Sequence, residues 1–258
     1  DGSWAGAGVT SDTVGNTVAG TDAGDSFDSG NGAQKNTLFG YKAGEAIVYG
    51  DDNSFFGYEA GKVTTGTGNS GFGKNALLAN TSANNNTAIG YWSLSSNTTG
   101  TNNTAVGFEA LAYGITTGNS VTSVGTESGW RSTGSNSAFF GYRAGYGASG
   151  SNGNYNIAIG PNTLKDFTSS SNNVVIGYEA GKSITTGPEN VAIGSEALKL
   201  STTASGQVAV GFQAAKNSTT AEQVTAVGYK AANGLNSDWV QGITAIGYES
   251  LLVAGASQ

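Results

Sequence analysis

Asn86-Thr87-Ala88-Ile89-Gly90-Tyr91 returns seventeen residues later as Asn103-Thr104-Ala105-Val106-Gly107-Phe108. Aligned on the glycine, the same phrase reads Asn36-Thr37-Leu38-Phe39-Gly40-Tyr41-Lys42-Ala43-Gly44, Asn53-Ser54-Phe55-Phe56-Gly57-Tyr58-Glu59-Ala60-Gly61 and Asn173-Val174-Val175-Ile176-Gly177-Tyr178. The anchors are Gly20, Gly40, Gly57, Gly73, Gly90, Gly107, Gly125, Gly141, Gly160, Gly177, Gly194, Gly211, Gly228 and Gly247, fourteen copies in 258 residues. Seven of the spacings are 17 and the rest run from 16 to 20. Helix-pair repeats need about 33 residues or more and propeller blades about 40, so this period excludes both. It fits one coil of a parallel β-solenoid, in which short strands and turns make a rung about 4.8 Å tall. The fold class expected is therefore all-β, a parallel β-solenoid (β-roll) of about 14 coils. Residues 1–15 form an N-terminal cap or linker, 16–251 the repeat module and 252–258 a C-terminal tail.

The columns of the alignment carry the physics of the rung. Before the anchor stand Phe39, Phe56, Phe72, Ile89, Val106, Val124, Phe140, Ile159, Ile176, Ile193, Val210, Val227 and Ile246. Such β-branched and aromatic residues suit a buried strand face. Two residues earlier, with the same parity, are Thr37, Ser54, Thr87 and Thr104, giving way to Ile157, Val174, Val191 and Val208. These two columns are expected to fill the coil, with a core more aliphatic toward the C-terminal half. The residue between them is Leu38, Phe55, Ala88, Ala105, Phe139, Ala158, Val175 or Ala192. A strand apolar on both faces is covered on both, and a 17-residue coil hardly supplies a second layer, so a partner chain is expected. Asn16, Asn36, Asn53, Asn69, Asn86, Asn103, Asn156, Asn173 and Asn190 precede the strand and read as a stacked Asn ladder. It gives way to Gln207, Val224 and Ile243 at the end. The anchor glycines form a parallel glycine ladder, each allowing a turn or a close backbone approach. Glu59 with Lys62, Glu179 with Lys182 and Glu196 with Lys199 recur at spacing three, as edge charges that discourage stray strand addition.

Composition narrows the chemistry. The chain has 42 Gly, 2 Pro and no His, Cys or Met. That excludes Ser-His-Asp triads, thiol nucleophiles, Cys/His zinc sites, thiolate iron–sulfur sites and disulfides. With 11 basic and 18 acidic residues and a net charge of −7, no nucleic-acid partner is expected. No apolar run approaches the roughly 18 residues that span a bilayer, so no membrane insertion is expected. With no Met, the chain is expected to be a processed product or an excised fragment.

The phrase Asn-Thr-Ala-Ile-Gly-Tyr resembles the repeats of bacteriophage tail-fibre proteins, and is similar to the Asn-Ser-Val-Ala-Ile-Gly head repeats of trimeric autotransporter adhesins. The resemblance covers about Asn16 to Leu251. From the adhesin heads it implies a left-handed β-roll with three chains side by side and the small residue between the two core positions at the threefold interface. Thr64-Thr65-Gly66, Thr98-Thr99-Gly100, Thr116-Thr117-Gly118 and Thr185-Thr186-Gly187 look more like the longer coils of phage fibres. The resemblance implies a homotrimeric fibre module of a virion or cell surface, binding a host glycan or protein without catalysis or cofactor.

Departures from a repeat mark candidate sites, since insertions map to loops on one face. The longest coils carry Tyr146, Tyr155 and Trp239, and Trp92 and Trp130 break their columns. These five are the candidate receptor-binding residues, their rings suited to the apolar faces of sugars; packing between chains or capping of a coil is the structural alternative. No catalytic, cofactor or metal residues are assigned: Asp22, Asp25, Asp28 and Asp51-Asp52 could offer oxygen ligands to Ca²⁺, but the repeat of calcium β-rolls is absent. Ice binding is a further alternative, opposed by the core-facing parity expected for the strand threonines.

Overall fold

The computed structural model describes residues 8–27, 32–114, 117–235 and 241–251. Its strands form a β-solenoid of about thirteen turns with a period near 17 residues, and no helix occurs among the described residues. The chain divides into two compact units, Asp1–Glu127 and Ser128–Gln258. In the first unit, β1 (Thr10–Ser11) pairs antiparallel with β2 (Thr17–Ala19). Parallel partners follow in order: β3 (Thr37–Phe39), β4 (Ser54–Phe56), β5 (Ser70–Phe72), β6 (Thr87–Ile89), β7 (Thr104–Val106) and β8 (Thr122–Val124). The second unit stacks β9 (Ala138–Phe140), β10 (Ile157–Ile159), β11 (Val174–Ile176), β12 (Val191–Ile193), β13 (Val208–Val210), β14 (Thr225–Val227) and β15 (Thr244–Ile246), all parallel. Equivalent repeat positions face each other throughout, as Ala88 does Ala105 and Val175 does Ala192.

The parity of the strands is the reverse of that expected. The middle residue points into the coil: Leu38, Phe55, Ala88, Ala105, Phe139, Ala158, Val175 and Ala192 are fully buried. The flanking columns face outward, with Phe72, Ile89, Phe140, Ile159 and Ile193 all exposed. The reason is the size of the cavity. In nine rungs the middle residue and the residue six positions later, in the turn, trade volume. Leu38 stands with Gly44, Phe55 with Gly61, Phe139 with Gly145 and Val175 with Gly181. Conversely Gly71 stands with Leu77, Ala88 with Leu94, Ala105 with Leu111, Ala158 with Leu164 and Ala192 with Leu198, these leucines being fully buried. In these rungs one of the two positions carries the large side chain, and a Cβ on Gly61 would collide with the Phe55 ring; Ser123 with Gly129, Ala209 with Ala215 and Ala226 with Ala232 are small at both.

A second buried row ties the rungs together. Asn53 donates its main-chain N–H and its Nδ2 to Asn36 Oδ1 (2.9 and 3.0 Å) and a second Nδ2 bond to Gly66 O (2.9 Å). Asn69 and Asn86 repeat the scheme. Asp12 closes the row in the first unit, accepting from Asn16 N and Nδ2 at 2.8 Å each. In the second unit Ser137 Oγ heads it, accepting from Asn156 N (3.1 Å), and Asn173 and Asn190 continue it. Gln207 extends the row by one rung, its N–H donating to Asn190 Oδ1 (2.9 Å), before Val224 makes the column apolar and buried. The asparagine amides of this row are thus paired, as a dry interior requires, whereas Gln207 leaves its Oε1 buried without a partner.

At the anchor, Gly90 has φ +134°, and a Cβ there would collide with the carbonyl oxygen of Gly107 in the next rung. No L-residue fits that approach.

Candidate binding surfaces

The first surface is the outward face of each sheet. In the first unit its leading column from β3 to β8 is all hydroxyl (Thr37, Ser54, Ser70, Thr87, Thr104 and Thr122), beside an apolar column that runs from Phe39 to Val124. Phe39 and Phe56 stack at 5.1 Å with 3° between their planes, and Phe56 and Phe72 at 5.0 Å with 6°. In the second unit both columns are aliphatic from β10 to β13. Neither face carries a charged residue on its strands.

The charges lie on the turns, where they form ladders between rungs rather than isolated pairs. In the first unit Lys42 lies between Asp22 (3.8 Å) and Glu45, and Lys62 between Glu45 (3.9 Å) and Glu59 (2.7 Å). In the second unit Glu179 bridges Lys182 (2.8 Å) and Lys199 (2.6 Å), and Glu196 bridges Lys199 (2.8 Å) and Lys216 (2.7 Å). Hydrogen bonds from Lys199 and Lys216, with a further one from Gln213, hold the Glu196 carboxyl down to about 2. Hydrogen bonds from Lys182 and Lys199 also lower Glu179, and the same bonds to Glu179 and Glu196 raise Lys199.

Beside the ladders runs an aromatic edge. Tyr41 stacks on Tyr58 (5.2 Å) and Tyr91 on Phe108 (5.4 Å), with the Lys74 ammonium 5.2 Å from the Tyr58 ring and 5.9 Å from Tyr91. Phe212, Tyr229 and Tyr248 form a similar stack in the second unit. Because these rings lie face to face, they present mainly edges to solvent.

Of the candidate receptor residues, the structure brings Trp130 and Tyr146 together, stacked at 4.9 Å in adjacent rungs. The Arg131 guanidinium lies 4.5 Å from the Trp130 centroid, and Arg143 lies 5.3 Å from Tyr146. Trp92 belongs to the first unit, at φ +58°, beside Tyr91 and stacked at 6.3 Å on Tyr113, a residue that sequence reasoning did not single out. Its Nε1 is buried without a partner, and so is Asn75 Oδ1, from the equivalent position one rung earlier. Tyr155 is 60 % exposed. Trp239 lies outside the described residues, as does Asp28.

Asp51 accepts from Gln34 N (2.8 Å) and Asp22 faces Lys42. Among the described residues no three acidic side chains gather to hold a metal ion, and no helix is long and apolar enough to cross a membrane. Comparison with protein-family models, with curated proteins and with solved structures gave no match.

Proposed function

We propose that the chain is a repeat module of an attachment fibre, of the bacteriophage tail-fibre kind, assembled as a homotrimer and binding a host-surface glycan or protein without catalysis. The head of a trimeric bacterial adhesin is the nearest alternative. The observation that carries the reading is the use each rung makes of its polar groups. Buried amides bond to the next rung and turn charges pair across rungs, which suits a scaffold that supplies spacing and rigidity. Aromatic departures at Trp92 and Tyr155, on such a scaffold, are the positions through which a receptor is met.

Binding of fluorescently labelled protein to a panel of bacterial cells and to their extracted surface polysaccharides tests this. Saturable binding to some of them, lost in Trp92→Ala or Tyr155→Ala with the β-sheet spectrum intact, supports the reading; absence of binding across the panel counts against it.

Ice binding is a second reading, favoured by the outward hydroxyl column of the first unit and the regular stack of Phe39, Phe56 and Phe72 beside it. Strand threonines on the outer face remove the objection drawn from their expected parity. Thermal hysteresis with faceted ice crystals would establish it, and solutions that freeze like a control protein would dismiss it.

A further inference from the structure

We infer that the turns carrying Arg131, Arg143 and Lys165 bind an acidic polysaccharide through its carboxylate groups. The inference rests on the attachment reading above and adds to it a further site and the class of glycan that fits it.

Charge sets this stretch of sequence apart. From Ser128 to Lys165 there are three basic residues and no acidic one, between Glu127 and Asp166, in a chain whose net charge is −7. Both arginines of the chain fall here. In the later rungs the turn cations are neutralised, since Lys182, Lys199 and Lys216 each lie within 2.8 Å of Glu179 or Glu196. Here that ladder is replaced. Trp130 and Tyr146 hold the position five residues after the anchor, where Lys165, Lys182, Lys199 and Lys216 stand in the rungs that follow. Arg143 holds the position two residues after the anchor, where Glu179 and Glu196 stand. Among the described residues neither Arg131 nor Lys165 has a carboxylate within ion-pair distance.

The rings fix the cations in place. Trp130 and Tyr146 stack at 4.9 Å with 15° between their planes. The Arg131 guanidinium lies over Trp130 at 4.5 Å, and that of Arg143 over Tyr142 at 5.0 Å and Tyr146 at 5.3 Å. Taken in series, the distances through Trp130 and Tyr146 keep the two guanidinium carbons within about 15 Å of each other. A guanidinium held over a ring keeps its in-plane N–H donors for a ligand, and that fork matches a carboxylate with two parallel hydrogen bonds. All three cations are partly exposed.

Arg131, Arg143 and Lys165 belong to three successive rungs, tied by Arg131 N to Tyr146 O and Gly147 N to Lys165 O at 2.9 Å each. Cations repeated rung by rung suit a polymer with acid groups repeated along its length. At physiological salt, charges more than about 8 Å away are largely screened, so the local sign governs contact despite the acidity of the whole chain. A nucleic acid carries a phosphate on every unit and meets that acidity more strongly than a polysaccharide with sparser carboxylates.

The test is titration of the full chain with fluorescent polygalacturonate, with dextran as a neutral polysaccharide and polyglutamate and single-stranded DNA as polyanions of other classes. Saturable binding to polygalacturonate is expected, with none to dextran, and weakening in molar salt. Arg131→Gln and Arg143→Gln are each expected to weaken it about tenfold or more with the β-sheet spectrum kept. A folded double variant that binds as the wild type does overturns the site, and polyglutamate or DNA binding as tightly as polygalacturonate overturns the polysaccharide assignment. A wild type that binds bacterial cells but not polygalacturonate overturns this inference and leaves the attachment reading standing; binding to neither overturns both. Should the glutamine variants unfold, Arg131→Lys decides, since it keeps the charge and loses the fork: affinity is expected to fall several-fold, and unchanged affinity overturns the assignment.

Discussion

Leu94 adopts φ +48° and Leu77 φ +55°, a region that costs a branched residue roughly 1–2 kcal/mol. They are retained there because each is the single large side chain that fills its rung, opposite Ala88 or Gly71. The rungs of Leu38, Phe55, Phe139 and Val175, with glycine at this turn position, take the large residue from the strand instead, so the two arrangements are interchangeable only as pairs. Phe55→Ala is therefore expected to destabilise by about 3–5 kcal/mol, and Gly61→Leu to destabilise by overpacking against Phe55. The double variant recreates the Ala88–Leu94 arrangement, and urea unfolding is expected to recover at least about 2 kcal/mol relative to additivity. Strict additivity would mean that the two positions do not share a cavity. The same trade is what sequence could have used to assign strand parity. Alternation alone is silent when both faces of a strand are apolar, as in Val174-Val175-Ile176. Reciprocal size at positions six apart, visible in Leu38 with Gly44 against Ala105 with Leu111, places the middle residue inside.

The ladders belong to the scale of the element. Asn69 accepts from Asn86 N and donates to Asn53 Oδ1 and to Ala83 O, so Asn69→Ala leaves buried partners in three rungs. A loss of roughly 2–4 kcal/mol is expected in chemical denaturation; a change under about 0.5 kcal/mol would show that the row contributes little. This row was legible from the column of asparagines. Its termini were not, because Asp12, Ser137 and Gln207 supply the same hydrogen bonds through different side chains. The ion ladder gives a pH dependence. Glu196 titrates near 2 in the folded chain and near 4.3 when unfolded. Its contribution is present above the unfolded value and is lost as pH falls through the folded one. Lys199, raised by its two glutamates, contributes below its ordinary range near 10.5, and that share is lost as pH rises past the folded value. The melting temperature of Glu196→Gln is expected to fall below that of the wild type between about pH 5 and 9. The gap should close toward pH 2 and narrow in molar salt, since these charges are partly exposed. A gap independent of pH would assign the effect to packing.

At the scale of the molecule, a short period and a fixed glycine were enough to read the solenoid. That the strands are apolar on both faces was also legible, but which face turned inward was not. That reversal moves the aliphatic columns from core to surface and buries the small middle residue, expected at an interface between chains, inside its own coil. The candidate aromatic site was legible only as departures from columns. Nothing in the sequence ties Trp92 to Tyr113, which lie on adjacent rungs at different turn positions, or separates Trp92 from Trp130, which the fold engages with Tyr146 and Arg131. The central claim is that neighbouring residues of one strand face opposite ways, Val175 into its own coil and Ile176 outward. The chain has no cysteine, so Val175→Cys and Ile176→Cys can be treated separately with a thiol reagent, folded and in denaturant, and their labelling rates compared. Ile176→Cys is predicted to label readily in the folded chain and Val175→Cys only on unfolding. Labelling of folded Val175→Cys with protection of Ile176→Cys would contradict it.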